Sequence, residues 1–257
     1  MANITVSSSV DSMLRASNDS GIRDAIGSIN SPYTTDIEQA VATTRNLNSI
    51  TTASGYNSNT NLQSIYIGSN VTSIGVNSFR GAANLSDVII AGCDGFNIQA
   101  SAFRDLQNLQ KVILPSNLEN LHAQVFRGCS NLSNIVLPRN ASLSMLQNGT
   151  FRACAFSSIN IPDSVQLLHT DVFRDCTNLT SITLPESLNM LYHQVFLNNT
   201  SLARIECLAL NPPSRVGRIG TSPFVNVATS EIYIRPEAEV NWGSTYEGLN
   251  VVVDPNL

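Results

Sequence analysis

Charged residues are scarce in this chain of 257 residues. They make up 13% of it, with 14 basic and 19 acidic side chains and a net charge of -5. Soluble proteins usually carry about 25% charged residues, so the polarity here comes from Ser, Thr and Asn. Lys111 is the only lysine. So few cations exclude a nucleic-acid binder whose affinity depends on neutralising phosphates.

Long apolar runs are absent as well. No stretch reaches the roughly 18 apolar residues that a membrane span requires. The first residues, MANITVSSSVDSML, contain neither the basic nor the apolar segment of a signal peptide. The sequence therefore predicts no membrane insertion and no standard secretory leader. Because 42% of the residues are hydrophobic, the chain is also too apolar to be intrinsically disordered.

Motifs for catalysis, metals and disulfides are missing too. There is no HExxH, no GxSxG and no phosphate-binding glycine loop, and only three histidines are present. The five cysteines include no CxxC pair, which argues against a zinc site and a disulfide framework. We expect no catalytic residues, no metal site and no cofactor. A polysaccharide-cleaving enzyme is disfavoured because paired carboxylates do not recur.

A repeated phrase extends from about residue 61 to residue 207, and a phenylalanine marks each copy. These phenylalanines, 22 to 25 positions apart, are Phe79, Phe103, Phe126, Phe151, Phe173 and Phe196. Each is followed by a short run with the alternation typical of strands: LSDVII, LQKVILP, LSNIVLP, FSSINIP, LTSITLP and LARIECL, with LQSIYIG before them. One unit cannot bury its apolar side alone, so we predict a mainly β solenoid of stacked parallel strands.

This phrase resembles the BspA-like leucine-rich repeat, whose pattern runs roughly LxxIxIPxxVxxIGxxAFxxCxxL. Val71, Ile74, Gly75 and Phe79 match the pattern closely. The segment EIYIRPEAEV, followed by a tryptophan and three valines, resembles the terminal cap of that family. The resemblance covers about residues 61–253. It implies a C-terminal β cap and a role in surface adhesion or partner binding, with no shared catalytic activity.

Residues 1–60 do not carry the repeat. The segment VSSSVDSMLRASNDSGIRDAIGS resembles a short helical motif found near the start of phage tail-fibre and related virion proteins. Capping signals predict helices over residues 21–26 and 36–45. The predicted organisation is an attachment segment (1–45), a Ser-, Thr-, Asn- and Gly-rich linker (46–60), the repeats (61–207) and the cap (208–257).

Two columns of equivalent repeat positions are predicted to be structural. Cys129, Cys154 and Cys176 each follow the phenylalanine by three positions, and free cysteine packs as a small hydrophobe, so we expect a buried, reduced and inert ladder. A second column directly precedes the strand leucine and consists of Asn84, Asn108, Asn131 and Asn178. Turn asparagines in register can bond to the backbone of adjacent coils.

Arginine occupies the position directly after the phenylalanine in five copies. We call these residues the arginine row: Arg80, Arg104, Arg127, Arg152 and Arg174. Stacked like charges repel one another, and Asp105 and Asp175 offset only part of that repulsion. The row is either a stripe that binds carboxylate, sulfate or phosphate groups of an anionic surface polymer, or a product of repeat duplication in which arginine stems cover the phenylalanines.

Four positions before the phenylalanine lies a polar column that includes His122, Gln147, His169 and Tyr192. Neutral hydrogen-bonding groups suit a polyhydroxylated ligand, so the column is a candidate glycan contact; an ordinary solvated face is the alternative. The two histidines are two coils apart, roughly 10 Å at strand spacing, which is too far to share a metal ion.

A third surface is predicted on the outward side of the strand runs, whose first four positions are apolar. These residues are Tyr66, Ile89, Ile113 and Val136. If they are exposed together, they form a patch of the kind that marks an interface. Its candidate partners are a second copy of the chain, another virion protein and the N-terminal segment.

Together the patterns favour a non-enzymatic virion fibre or adhesin component. Its N-terminal segment is predicted to attach to other virion proteins, and its solenoid is predicted to bind a host surface glycan or protein. Trimerisation is implied by the N-terminal resemblance alone. The alternative is a cellular BspA-like surface or effector protein, exported by a non-standard route, that binds another protein.

Overall fold

The computed structural model describes residues 49–50, 56–68, 71–91, 93–138, 142–217 and 221–257. The helices predicted over residues 21–26 and 36–45 lie outside the described residues. Within the described residues, strands and turns predominate, and the one helix is a 3-10 helix, Pro236–Asn241. The prediction of a mainly β solenoid is confirmed. None of the helices in the described part is long and apolar enough to span a bilayer.

Most coils contribute two short strands. The first strands are β2 (Ser64–Ile67), β4 (Asp87–Ile90), β6 (Lys111–Ile113), β8 (Asn134–Val136), β11 (Ser181–Leu184), β13 (Arg204–Cys207), β15 (Glu231–Ile234) and β17 (Leu249–Val253). The second strands are β1 (Ser49–Ile50), β3 (Ser73–Ile74), β5 (Phe96–Ile98), β7 (Leu118–Leu121), β9 (Met145–Leu146), β10 (Leu167–Leu168), β12 (Met190–Tyr192) and β14 (Ser214–Val216). Parallel pairing requires long return connections, which the rest of each coil supplies.

Strands of successive coils pair side by side in four sheets. The first strands form the sheets β2-β4-β6-β8 and β11-β13-β15-β17, and the second strands form β1-β3-β5-β7 and β9-β10-β12-β14. Equivalent repeat positions lie opposite each other; Val88, for example, pairs with Ile65 and with Val112. Identical columns therefore run along the solenoid axis.

One predicted strand is reduced to a bridge. In the run FSSINIP, Asn160 bridges to Thr183 of β11, and no regular strand forms. In this copy Phe156 replaces the strand leucine and follows Phe151 by five positions instead of six. Its fully buried ring packs edge-on against Phe151 and Phe173, with centroids 6.0 and 6.2 Å apart. A larger side chain after a shorter turn interrupts the ladder between β8 and β11.

The turn that carries each phenylalanine forms a third side of the coil. Two positions before and two positions after Phe103, Ser101 and Asp105 adopt left-handed φ values of 58° and 62°. The N–H groups of these three residues donate to carbonyls of the next coil, at 3.0, 3.1 and 2.8 Å. The same three bonds recur at Phe79, Phe126, Phe151 and Phe196. Backbone hydrogen bonds between successive coils therefore hold the phenylalanine turns in register, so their side chains line up along one edge of the solenoid.

Behind these turns, the aromatic rings stack along the solenoid axis. Neighbouring rings lie 5.1 to 5.8 Å apart and within 17° of parallel, in the order Tyr56, Phe79, Phe103, Phe126, Phe151, Phe173, Phe196 and Phe224. Tyr56 and Phe224 extend the six predicted phenylalanines at either end. Tyr56 lies in the segment predicted as a linker, so part of that segment packs on the solenoid.

The C-terminal residues form a β cap. A short strand, β16 (Thr245–Tyr246), pairs with β17 in antiparallel fashion and ends the sheet. Trp242 is buried and packs edge-on against Tyr246 at 5.2 Å, and the Tyr246 hydroxyl donates to the Pro213 carbonyl at 2.8 Å. The cap therefore covers the last coil with aromatic side chains.

Candidate functional site

The cysteine column is structural, as predicted. Cys129, Cys154 and Cys176 are buried, and each Sγ donates to the carbonyl of the phenylalanine one coil earlier, at 3.1 to 3.3 Å. Burial raises the pKa of Cys129 and Cys176 to about 12 and raises that of Cys154 well above its usual value. All five cysteines of the chain are free thiols.

The asparagine column also ties neighbouring coils together. Asn84, Asn108 and Asn178 donate through Nδ2 to backbone carbonyls of the preceding coil, at 2.7, 2.8 and 3.3 Å. These bonds satisfy carbonyl groups in the turns, which is the role predicted for turn asparagines. For these three residues the structural interpretation is confirmed.

The predicted apolar interface is largely covered. Tyr66, Ile89 and Ile113 are buried, with 6%, 3% and 9% of their surface exposed, whereas Val136 is 67% exposed. The condition for an exposed apolar patch, that all four side chains are exposed, is therefore not met, and the partner of this face stays a prediction. Alternation along a strand assigns each side chain to a face of the sheet, but it does not say whether that face is covered.

The polar column consists of two contacting pairs. Gln147 Nε2 lies 3.5 Å from His122 Nδ1, and the rings of His169 and Tyr192 stack at 4.2 Å. The Thr170 N–H donates to His169 Nδ1 at 2.8 Å, so that nitrogen is unprotonated. Burial, with a smaller effect of His193, lowers the pKa of His169. The His169 side chain is therefore neutral at physiological pH. The role of the polar column in ligand binding stays a prediction.

Aspartates lie between the arginines of the arginine row. Asp105 Oδ2 lies 3.4 Å from Arg80 Nε and 3.2 Å from Arg104 Nε, so it bridges two coils. Arg104 also donates to Gln124 Oε1 at 2.7 Å. The row is thus partly neutralised at this end, as the sequence predicts for Asp105.

The other end of the row holds a denser cluster. Asp175 Oδ2 lies 3.2 Å from Arg152 Nε and 3.4 Å from Arg174 Nε. Asp171 contacts the same two guanidinium groups, at 3.4 and 3.5 Å. The sequence does not assign Asp171 to the row, because it stands two positions before the phenylalanine. The contacts show that both left-handed positions of this turn, Asp171 and Asp175, face the arginines.

Arg127, at the centre of the row, lacks such a partner. Within the described residues it makes no ion pair and no side-chain hydrogen bond. Burial and the neighbouring Arg104 and Arg152 lower its pKa, and the smaller opposing effects of Asp105 and Asp171 do not cancel this. In the part of the chain that the structure describes, the arginine row therefore consists of two ion-paired clusters with the unpaired Arg127 between them.

A polar cluster on the cap sheet is not predicted by the sequence patterns. Arg204 donates to Glu206 at 2.6 Å and to Asp254 at 2.5 Å, and its guanidinium lies 4.2 Å from the centre of the Tyr233 ring. Tyr233 in turn donates to Glu231 at 2.6 Å. The alternating polar positions of β13 and β15 are the signal for this face. The contacts between Arg204 and Asp254 and Tyr233 indicate a role in joining the cap to the repeats.

A short apolar stripe on the second strands is also new. Met145 of β9 and Met190 of β12 each pair with Leu167 of β10, and the two methionines are 41% and 38% exposed. The sequence gives no signal for this stripe because strands of two or three residues are too short to reveal alternation. Within the described ranges, no group of three or more His, Cys, Asp or Glu side chains is placed to hold a metal ion.

Comparison with known proteins identifies the repeats. A family model described as a BspA type Leucine rich repeat region matches six copies, over residues 29–95, 48–177 and 96–230. The crystal structure of a leucine-rich repeat protein of T. pallidum is similar, with 24% identity, a TM-score of 0.57, and 64% of this chain and 78% of that chain covered. That similarity supports the fold.

More distant similarities add little. A leucine-rich cell surface protein of Faecalibacterium prausnitzii aligns with 15% identity over 75% of this chain and 79% of its own, with a TM-score of 0.41. No curated protein matches the sequence significantly. A functional assignment therefore has to start from the repeat family and from the surfaces described above.

Proposed function

Because the chain belongs to the BspA-type leucine-rich repeat family, we propose that it is a non-enzymatic binding protein of the adhesin kind. Its solenoid binds a ligand on a cell surface through the edge formed by the phenylalanine turns. The observation that supports this proposal is that the side chains concerned are already fixed in place. Contacts between coils hold the polar column and most of the arginine row. Preordered side chains lose little entropy on binding.

The chemistry of the edge favours a glycan as the ligand. The polar column offers amide, imidazole and phenol groups that can donate or accept hydrogen bonds from hydroxyls. The arginine row adds guanidinium groups that bind carboxylate or sulfate. A protein ligand is the alternative, since rigid solenoids also present extended surfaces to other proteins.

A glycan array tests the proposed edge. We expect the double variant Arg104→Ala/Arg127→Ala to bind acidic glycans at least about tenfold more weakly than the unmodified protein, a loss of about 1.4 kcal/mol. The matched control is Lys111→Ala/Arg235→Ala, which changes the net charge equally but lies away from the phenylalanine turns. Equal losses in both variants would assign the binding to net charge and refute the edge.

The biological setting is proposed from the N-terminal segment. Its resemblance to phage tail-fibre proteins supports a virion component whose residues 1–45 attach to other virion proteins, with trimerisation as an accompanying expectation. A cellular surface or effector protein that binds another protein is equally compatible with the repeat family.

Deletion of residues 1–45 separates these two settings. In a virion component we expect the shortened protein to fold, to keep the circular dichroism of its strands, and to be absent from purified particles. The full-length chain, produced in the same cells, is the control. Incorporation of the shortened protein into particles would show that residues 1–45 are not the attachment segment.

A further inference from the structure

The ion pairs of the arginine row follow a simple rule. Where the residue two positions after the phenylalanine is aspartate, it bridges the arginine of its own coil and the arginine of the preceding coil. Asp105 bridges Arg104 and Arg80 in this way, and Asp175 bridges Arg174 and Arg152. Each arginine can therefore be bridged from this position of its own coil and of the next coil. Asp171 adds a third kind of bridge from two positions before the phenylalanine, but for Arg127 those positions hold Gln124 and Gly149.

Arg127 is the arginine for which neither bridging position is acidic. Its own coil has Gly128, and the next coil has Ala153. A side chain at Gly128 would meet Asp105, since a Cβ placed there would lie 2.8 Å from Asp105 Oδ1. Of these two positions, Ala153 is the one that could hold a carboxylate, and alanine leaves Arg127 without it.

Ala153 is also a poor residue for the local backbone. Its φ of 59° is left-handed, like that of Asp105 and Asp175 at 62° and of Asn198 at 64°. Aspartate and asparagine tolerate this conformation through local hydrogen bonding, whereas alanine is strained by about 1–2 kcal/mol. A strained residue that also removes the counterion of Arg127 is typical of a functional site.

No carboxylate contacts Arg127 within the described residues, although Asp105 and Asp171 act on it attractively. Arg104 and Arg152 lie one coil away on either side and act on it repulsively. Gln124, three residues before it in the same turn, accepts a hydrogen bond from Arg104. An anion bound at Arg127 would therefore relieve the repulsion between guanidinium groups, in a turn where Gln124 is a neutral amide.

We propose that the unpaired Arg127 guanidinium, framed by Gly128 and Ala153, binds one carboxylate or sulfate group of an acidic polysaccharide. This assignment rests on the proposed adhesin function and names the charged group of its ligand. A polysaccharide fits better than an acidic protein segment because the same coil carries neutral hydrogen-bonding groups suited to hydroxyls. Gln124 and His122 stand three and five positions before Arg127, and His122 contacts Gln147 of the next coil.

The test is the substitution Ala153→Asp, with Ala153→Asn as its matched control. Both residues relieve the backbone strain, so both variants are expected to be at least as stable as the unmodified protein. Only aspartate can bridge Arg127, as Asp175 bridges Arg152 at 3.2 Å. We expect Ala153→Asp to weaken binding of the anion about tenfold, while Ala153→Asn stays within about twofold of the unmodified protein.

Anion binding by the unmodified protein and by both variants is measured in two ways. Sulfate is titrated into the full-length protein while the Arg127 Nε–Hε signal is followed by NMR, with that signal assigned by its loss in Arg127→Lys. Binding to immobilised dextran sulfate and polygalacturonate is measured in parallel, with neutral dextran as the control. Dextran sulfate and polygalacturonate separate a preference for sulfate from a preference for carboxylate.

The outcomes separate this proposal from the proposed function. A shift of the Arg127 signal that is lost in Ala153→Asp supports the anion site, and if neither polymer then binds, the glycan ligand is refuted while the anion site stands. An unmoved Arg127 signal overturns the anion site. Polymer binding that is equally strong in Ala153→Asp overturns the role of Arg127 and leaves adhesion through the same edge intact.

Discussion

Replacing Phe126 with alanine is expected to lower the free energy of unfolding by about 3–5 kcal/mol. The ring is fully buried and stacks between Phe103 and Phe151, with centroids 5.6 and 5.8 Å away. Alanine leaves a cavity between two rings that the backbone ladder holds at coil spacing, so neighbouring groups cannot collapse into it. The same turn also supplies the carbonyl that accepts a hydrogen bond from Cys154.

Denaturation by urea, followed by near-ultraviolet circular dichroism, measures this loss. The control is Val136→Ala, which removes two methyl groups from a side chain that is 67% exposed and should change stability by less than about 0.5 kcal/mol. Phe126→Leu is expected to lie between the two, because it keeps most of the apolar volume but no ring. Equal stabilities for Phe126→Ala and Val136→Ala would show that the ring stack does not hold the coils together.

The repeat could be predicted from the sequence because its physical cause is local to each copy. A unit with one apolar side has to stack on its neighbours, so regular phenylalanine and leucine positions predict the solenoid, its strands and its buried cysteines. Tyr56, 23 positions before Phe79, carried the same signal but is not a phenylalanine. Phe224 was hidden by a spacing of 28 positions after Phe196, where the chain enters the cap.

The candidate site was harder to predict, because its properties depend on contacts between coils. The sequence shows five arginines in one column, but not that Asp171 reaches two of them or that Arg127 has no partner. The first feature follows from the left-handed residues of the phenylalanine turns, which direct positions on either side of the ring toward the same edge. The second follows from Gly128 and Ala153, which hold no carboxylate where other coils have Asp105 and Asp175. The burial of Ile89 was missed for a related reason, since periodicity says nothing about what covers a sheet.

A steep loss of stability above about pH 9 is expected from the buried thiols. Burial raises the pKa of Cys129, Cys176 and Cys207 to about 12, from an ordinary value of 9.0, and raises that of Cys154 well above 9.0. Below pH 9 these thiols are protonated in both the folded and the unfolded chain. Between about pH 9 and pH 12 the unfolded chain loses protons that the folded chain retains, so unfolding becomes easier as the pH rises.

The slope follows from this difference in bound protons. Each thiol lowers the free energy of unfolding by about 1.4 kcal/mol per pH unit in this range, so four thiols together lower it by about 5 kcal/mol per pH unit. Burial also raises the pKa of Tyr66 and Tyr246, and these phenols act in the same direction. A variant is therefore needed to isolate the contribution of the thiols.

The triple variant Cys129→Ala/Cys154→Ala/Cys176→Ala isolates the contribution of the buried thiols to alkaline unfolding. The triple variant loses three buried sulfur atoms, so it is less stable than the unmodified protein at neutral pH. Because it also lacks three titrating groups, its loss of stability between pH 9 and pH 10.5 should be about 4 kcal/mol per pH unit shallower. Urea midpoints at pH 7, 9 and 10.5, in the presence of a phosphine reductant, give both slopes. Parallel slopes in the two proteins would mean that the thiols ionise equally in the folded and unfolded chains, and that alkaline unfolding comes from the tyrosines.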